Sequence, residues 1–190
     1  MTIFQWIIPA LWLLFIAYWG ISALGAKRSI GTTAWWKQSL LRLGLVVLIV
    51  AGFHLFGTGR ALRLAQSYQA RSVILGAIGS VLVLLGVGLA VYARVYLGRN
   101  WGMPMSRKED PELVTSGPYA HVRHPIYSGI VLAMLGSAIG ESIYWTLPLI
   151  VSVAYFIYSA RHEEELMCQQ FPEQYPAYMR RTKMIVPFVL

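Results

Sequence analysis

Residues 72–97 run for 26 positions with Arg94 as the only charged side chain, and this run limits the fold more than any other part of the chain. About 20 consecutive apolar residues are enough to cross a hydrocarbon core of roughly 30 Å as a helix. Two earlier runs have comparable character: residues 3–24, with Trp6, Trp12, Tyr18 and Trp19, and residues 40–57, with His54. Residues 126–140 and 142–160 read as two more helices joined by a tight turn at Gly140-Glu141. Small residues recur where neighbouring helices would have to approach closely: Gly76 with Ser80, Gly136 with Gly140, and Gly129, Ala133 and Ser137 at every fourth position. Gly86-Val87-Gly88 fits either helix packing or the wall of a binding site. The pattern predicts an all-α integral membrane protein with about five transmembrane helices, in agreement with 57% hydrophobic and 13% charged residues. It is expected to form a single domain over residues 1–190. Residues 1–97 supply a three-helix scaffold, and residues 98–190 a polar loop, a helical hairpin and a charged tail.

The net charge of +8 does not point to nucleic acid, because the basic residues flank apolar spans instead of forming a patch interleaved with stacking aromatics. With the amino terminus outside and five crossings, thirteen of the sixteen lysines and arginines fall in the inner segments. This bias places the loop before Pro125 and the tail after Ala160 together on the cytoplasmic side. Residues 58–71, with Arg60, Arg63 and Arg71, read as a short amphipathic helix on the membrane surface. Lys27, Arg28, Trp35, Trp36 and Lys37 form a basic, aromatic connector between the first two spans. Cys168 is the single cysteine, so no internal disulfide can form and no metal-site spacing is present.

The polar centre of the chain is residues 113–129, LVTSGPYAHVRHPIYSG. Gly117-Pro118 and His124-Pro125 interrupt helix, because proline lacks the backbone donor and restricts its predecessor. Structureless connectors longer than about 12–15 residues are usually functional or disordered. Tyr119, His121, Arg123, His124 and Tyr127, with His162, Glu163, Glu164 and Glu165 from the tail, gather cationic, anionic and aromatic groups at a membrane boundary. A metal site could draw on His121, His124 and His162, but Pro125 prevents the two loop histidines from sharing a helix face, and no metal is expected. A structural pair between Arg123 and Glu164 could clamp loop to tail. A site for a polar, charged ligand whose reaction partner comes from the bilayer is the third reading.

Leu113-Val114, Gly117-Pro118-Tyr119, Arg123-His124-Pro125, Tyr127 and Gly129, followed by Glu163-Glu164, Phe171, Tyr175 and Tyr178, resemble the isoprenylcysteine carboxyl methyltransferase family and its phospholipid methyltransferase relatives. The resemblance covers the last half of the chain. It implies an integral membrane methyltransferase that uses S-adenosyl-L-methionine and acts on a membrane lipid or other hydrophobic acceptor, by S-, O- or N-methylation. The cofactor-binding residues carried over are Glu112, Leu113, Val114, Tyr119, His124, Pro125, Ile126, Tyr127 and Glu163. Arg123, Glu164 and Arg161 are left as a structural clamp or as substrate-positioning residues. Ser159 stands where the isoprenylcysteine enzymes carry an arginine four residues before the first glutamate, with Arg161 displaced to another helix face. Phe171-Pro172 replaces the usual Phe-Gly. A sterol-type NADPH reductase is the alternative enzyme, but Ile126 and Ile130 replace the asparagine and the acid of that pattern. A nonenzymatic membrane scaffold leaves the polar cluster without a role.

Overall fold

The computed structural model describes residues 3–23, 29–30, 40, 43–45, 47–48, 51–52, 59, 63, 66–67, 72–101, 107–108 and 112–186. Its long helices are α1 (Phe4–Ala23), α2 (Val73–Leu97), α3 (Pro125–Gly140) and α4 (Thr146–Gln170), followed by the short α5 (Gln174–Met179). Much of the expected second span, with His54, lies outside the described residues, as do Lys27, Arg28, Trp35, Trp36 and Lys37 of the connector and Arg60 and Arg71 of the surface helix. The described positions between 40 and 52 are helical.

The ends of these helices follow from local chemistry. Ser72 caps α2, its hydroxyl accepting from Leu75 N, and Gly98 ends the helix with φ +54° while its N–H donates to the carbonyls of Arg94 and Val95. α3 begins on Pro125, whose missing donor costs nothing in a first turn. α4 joins two stretches that the sequence presents separately: the apolar span and the start of the charged tail form one uninterrupted helix. No glycine or proline occurs in residues 149–171, so the change from apolar to charged residues marks a change of surroundings and not a helix end. The helix stops before Pro172.

α2 and α3 form the centre of the molecule and run antiparallel, with backbone nearly touching backbone. A Cβ added at Gly129 would lie 2.5 Å from Gly86 O, and one at Gly136 would lie 2.7 Å from Gly79 O and Val83 N. Gly86 therefore serves packing, while Gly88 faces open space with nothing within 4 Å. Ile8, Val83 and Ala133, all fully buried, fill the join between α1, α2 and α3. Trp12 Nε1 donates to Ser137 Oγ at 2.9 Å and its ring stacks on Trp145. α1 lies parallel to α2: Phe4 packs on Gly76 at one end, and Arg94 Nη2 donates to Ser22 O at 2.6 Å at the other.

α2 and the helical stretch from Ile143 to Gln170 are long and apolar enough to cross a membrane, and α1 and α3 are shorter apolar helices. The outward faces of α1 and α2 expose Leu13, Leu14, Ile16, Ile74, Val81, Leu84 and Leu85, apolar side chains suited to lipid. At 16 residues, α3 is about 24 Å long. It lies between its neighbours, and nine of its residues are buried. A two-residue antiparallel pairing, Ser29 with Lys108 and Ile30 with Arg107, ties the connector after α1 to that after α2.

Candidate active site

The site forms where the loop before α3, the second half of α4 and the tail after α5 converge. Gly117, at φ +59°, admits a left-handed turn under the Tyr96 ring. The chain then makes a short 3-10 turn, Gly117–Ala120, which carries Tyr119 inward. Residues 121–124 pair with the tail: Arg123 N donates to Lys183 O at 2.8 Å and His124 N to Met184 O at 3.0 Å. Ser128 Oγ donates to Ile185 O at 2.5 Å, and Tyr178 Oη donates to Tyr119 O at 2.6 Å. The loop's polar backbone is thus satisfied by the tail in place of water.

Arg123 and Glu164 form an ion pair with side chains only 8% and 7% exposed, Arg123 Nε donating to Glu164 Oε1 at 2.5 Å. Arg123 Nη1 also donates to Thr182 O at 2.5 Å and Met179 O at 3.3 Å. His124 does not point wholly away from this pair, as strict alternation along an extended segment would require. Its Nε2 lies 3.3 Å from Glu164 Oε1 and its Nδ1 3.6 Å from Glu163 Oε2. One imidazole therefore joins two carboxylates that are adjacent on α4.

The His124 ring stacks on Tyr127 at 5.4 Å between centroids, and Tyr127 stacks on Phe156 at 4.6 Å. Tyr127 Oη donates to Glu163 Oε1 at 2.6 Å, and Ser159 Oγ lies 3.4 Å from the same oxygen. Phe156, Ser159, Ala160 and Glu163 reach this point because positions three and four apart share a helix face. Beneath them, Ala93, Tyr119, Ile126, Tyr127 and Ala160 form one buried cluster, against which Trp19, Trp101 and Val114 pack. Burial raises the hydroxyl pKa of Tyr119 and of Tyr175, and pushes that of Tyr178 up to about 12.

Of the residues expected to bind cofactor, Val114, Tyr119, Ile126 and Tyr127 share this cluster, and His124 and Glu163 form its polar edge. Pro125 is fully buried as the first residue of α3. Leu113 is half-buried, and Glu112 is exposed, its Oε2 accepting from Asn100 Nδ2 at 3.2 Å. Arg161 is exposed on α4. The three histidines of the metal reading are apart: His121 is exposed, His124 is held by the glutamates, and His162 faces Glu165 at 3.5 Å. Among the described residues, no three His, Cys, Asp or Glu side chains gather as a metal site.

Sequence reasoning passed over Phe156, Ala160 and Thr182, and gave Arg94 only a place in the charge count. Arg94 is 4% exposed, donates from Nη1 to Gly98 O at 2.6 Å, and lies over the Trp101 ring. A lone charge in the last turn of an apolar span was the available signal.

Residues 74–174, more than half of the chain, match the family described as phospholipid methyltransferase. The chain belongs to this family. Within it, the match takes in α2, α3, the loop between them and all of α4. Among individual relatives, the chain is 38% identical over 109 residues to the nickel-cobalt-cadmium resistance protein of Alcaligenes xylosoxydans xylosoxydans, covering 55% of this chain and 50% of that protein. It is 31% identical over 115 residues to protein-S-isoprenylcysteine O-methyltransferase B of Arabidopsis thaliana, covering 58% of each. The chain spans about half the length of the curated relatives it matches. A solved structure of a eukaryotic intramembrane Ras methyltransferase, isoprenylcysteine carboxyl methyltransferase, aligns over 84% of this chain and 55% of its own, with 23% identity and a TM-score of 0.49.

Proposed function

We propose that this protein is an integral membrane methyltransferase that uses S-adenosylmethionine and acts on a lipophilic acceptor reaching it from the bilayer. The observation that carries this reading is the His124–Tyr127–Phe156 stack with Glu163 at its edge, set at the end of an apolar helix bundle. A sulfonium, an ammonium and ribose hydroxyls all suit such a donor set: carboxylate oxygens accept charge-assisted hydrogen bonds, and aromatic faces attract cations. Glu163, Tyr119, His124, Ile126 and Tyr127 would hold the cofactor, with Glu112, Leu113, Val114 and Pro125 along the loop that borders it. When bound, S-adenosylmethionine supplies an electrophilic methyl group on a positively charged sulfur. The protein's share is alignment and exclusion of water, and alignment alone can contribute up to about 7–11 kcal/mol. The clamp of Arg123 on Glu164 fixes the loop against α4, so that His124 and Tyr127 are held before any ligand binds.

The same reading treats residues 1–190 as one domain with five crossings and the site on the cytoplasmic side. Parallel α1 and α2 support an odd number of passes, because α1 ends beside Arg94 while α2 begins at the opposite end. Mass spectrometry of lipids from membranes containing the protein and supplied with isotopically labelled S-adenosylmethionine tests the function. A labelled lipophilic product is expected; a pattern identical to membranes lacking the protein would contradict the reading.

A further inference from the structure

We infer that residues 180–186 are a docking surface for anionic lipid headgroups, and that docking there steadies the loop that carries His124 and Tyr127. The docking stands on its own observations; its consequence for the cofactor rests on the methyltransferase reading. This tail segment has two unlike sides. Thr182 and Ile185 are buried, while Arg180, Arg181 and Lys183 are exposed. The buried side is fixed: Thr182 Oγ donates to Tyr178 O at 2.8 Å, and Thr182 O accepts from Arg123 Nη1. Among the described residues, none of the three exposed cations has a carboxylate within ion-pair distance. The acids of α4 are engaged elsewhere, Glu163 by Tyr127, Glu164 by Arg123 and Glu165 by His162, and Glu173 lies exposed at the start of α5. The outer side of the segment is therefore a row of positive charge with no partner in the chain.

The level of this segment in the bundle favours a lipid surface over a soluble acidic partner. Ser128 Oγ, in the first turn of α3, donates to Ile185 O, so the segment ends beside the start of an apolar helix. Val186, next in the chain, is 44% exposed. On α4 the exposed residues change from Tyr158 to Arg161 within one turn, the order of aromatic and basic side chains at a membrane boundary. From Arg161 to Glu164 the helix rises about 4.5 Å. Glu164 holds Arg123, and Arg123 N donates to Lys183 O, so Lys183 sits about one turn above the level at which α4 leaves lipid. Long basic side chains reach across such an interval, and basic clusters beside membrane spans are drawn to anionic headgroups. The loop takes its backbone partners from this same segment, with Arg123 N on Lys183 O and His124 N on Met184 O. Opening the loop breaks those bonds, so whatever holds residues 180–186 to the bilayer opposes opening. Headgroups thereby act on the cofactor site without touching the cofactor.

The test uses the full chain in nanodiscs of phosphatidylcholine alone and of phosphatidylcholine mixed equally with phosphatidylglycerol. Hydrogen–deuterium exchange reads the loop amides of Arg123 and His124 with no cofactor present. Calorimetry with S-adenosylhomocysteine reads the site; this ligand has no net charge, so anionic lipid does not concentrate it. In the anionic discs the two amides should exchange at least about fivefold more slowly and S-adenosylhomocysteine should bind at least about fivefold more tightly, the lower end of the usual coupling between two sites. Both gains should vanish near 1 M salt, where charges are screened within about 3 Å. They should vanish as well in the triple variant Arg180→Gln/Arg181→Gln/Lys183→Gln, which keeps the backbone pairing and should match wild type in phosphatidylcholine. Equal exchange in the two lipids, or full lipid dependence in the triple variant, overturns the docking. Slowed exchange with unchanged S-adenosylhomocysteine affinity overturns the coupling to the site. Failure to bind S-adenosylhomocysteine in either lipid overturns the methyltransferase reading, while exchange still decides the docking.

Discussion

Arg123 and Glu164 set the behaviour of the site at the scale of single residues. Both side chains are more than nine-tenths buried, so removing either leaves a charge without its partner, at a cost of about 3–5 kcal/mol. Arg123→Ala should lower thermal stability in detergent and expose the tail to proteolysis. A double-mutant cycle with Glu164→Gln should show coupling above about 1 kcal/mol; strict additivity would remove the clamp. Tyr178 yields a pH dependence. Its hydroxyl, ordinarily ionising near pH 10, is raised to about 12 by burial, so the stability tied to its proton is complete below about pH 10 and is lost as pH rises toward 12. Wild type should therefore release the tail, followed by limited proteolysis, across that alkaline window, while Tyr178→Phe should lose this component of the transition. The pairing of Arg123 with Glu164 was legible because an extended loop and a helix of known face leave few geometries. The double contact of His124 was not, because it depends on the angle at which the loop crosses two consecutive glutamates, which sequence spacing does not encode.

At the scale of elements, the contact of α2 with α3 gives the sharpest expectation. Alanine is ordinarily favoured over glycine in a helix by about 1 kcal/mol. At Gly136 the added methyl would lie 2.7 Å from Gly79 O and Val83 N, so the helices must separate. Gly136→Ala should destabilise the protein by about 1–3 kcal/mol, the usual range for overpacking, whereas Gly88→Ala, facing open space, should be neutral or slightly stabilising. Thermal unfolding in one detergent compares the two, and equal effects would contradict the packing. The spacing of Gly129, Ala133 and Ser137, and of Gly136 with Gly140, made a close helix contact readable in the sequence. The end of α4 was not readable in the same way: hydrophobicity reports where lipid stops, and the helix continues past that point for want of a residue that breaks it.

For the whole molecule, Glu141 sits at the opposite end of α3 from the loop and tail that build the site. Cysteine labelling from either side of sealed vesicles should find Arg180→Cys reactive from the cytoplasmic side and Glu141→Cys from the other; reactivity of both from one side would break this arrangement. Long apolar runs made the membrane class legible, and the loop and tail motifs made the site's location legible. The strap formed by Thr182, Lys183, Met184 and Ile185 was hidden, since it rests on backbone pairing between segments some sixty residues apart and leaves no side-chain pattern. That strap holds His124 N in place, and His124 reaches Glu163, the residue on which the functional reading converges. Calorimetric titration of the purified protein with S-adenosylhomocysteine therefore tests the account most directly. Wild type should bind, and Glu163→Gln should bind more weakly by about 1.5–3 kcal/mol, as expected for a lost hydrogen bond to a charged group; no binding by wild type, or equal binding by both proteins, would contradict it.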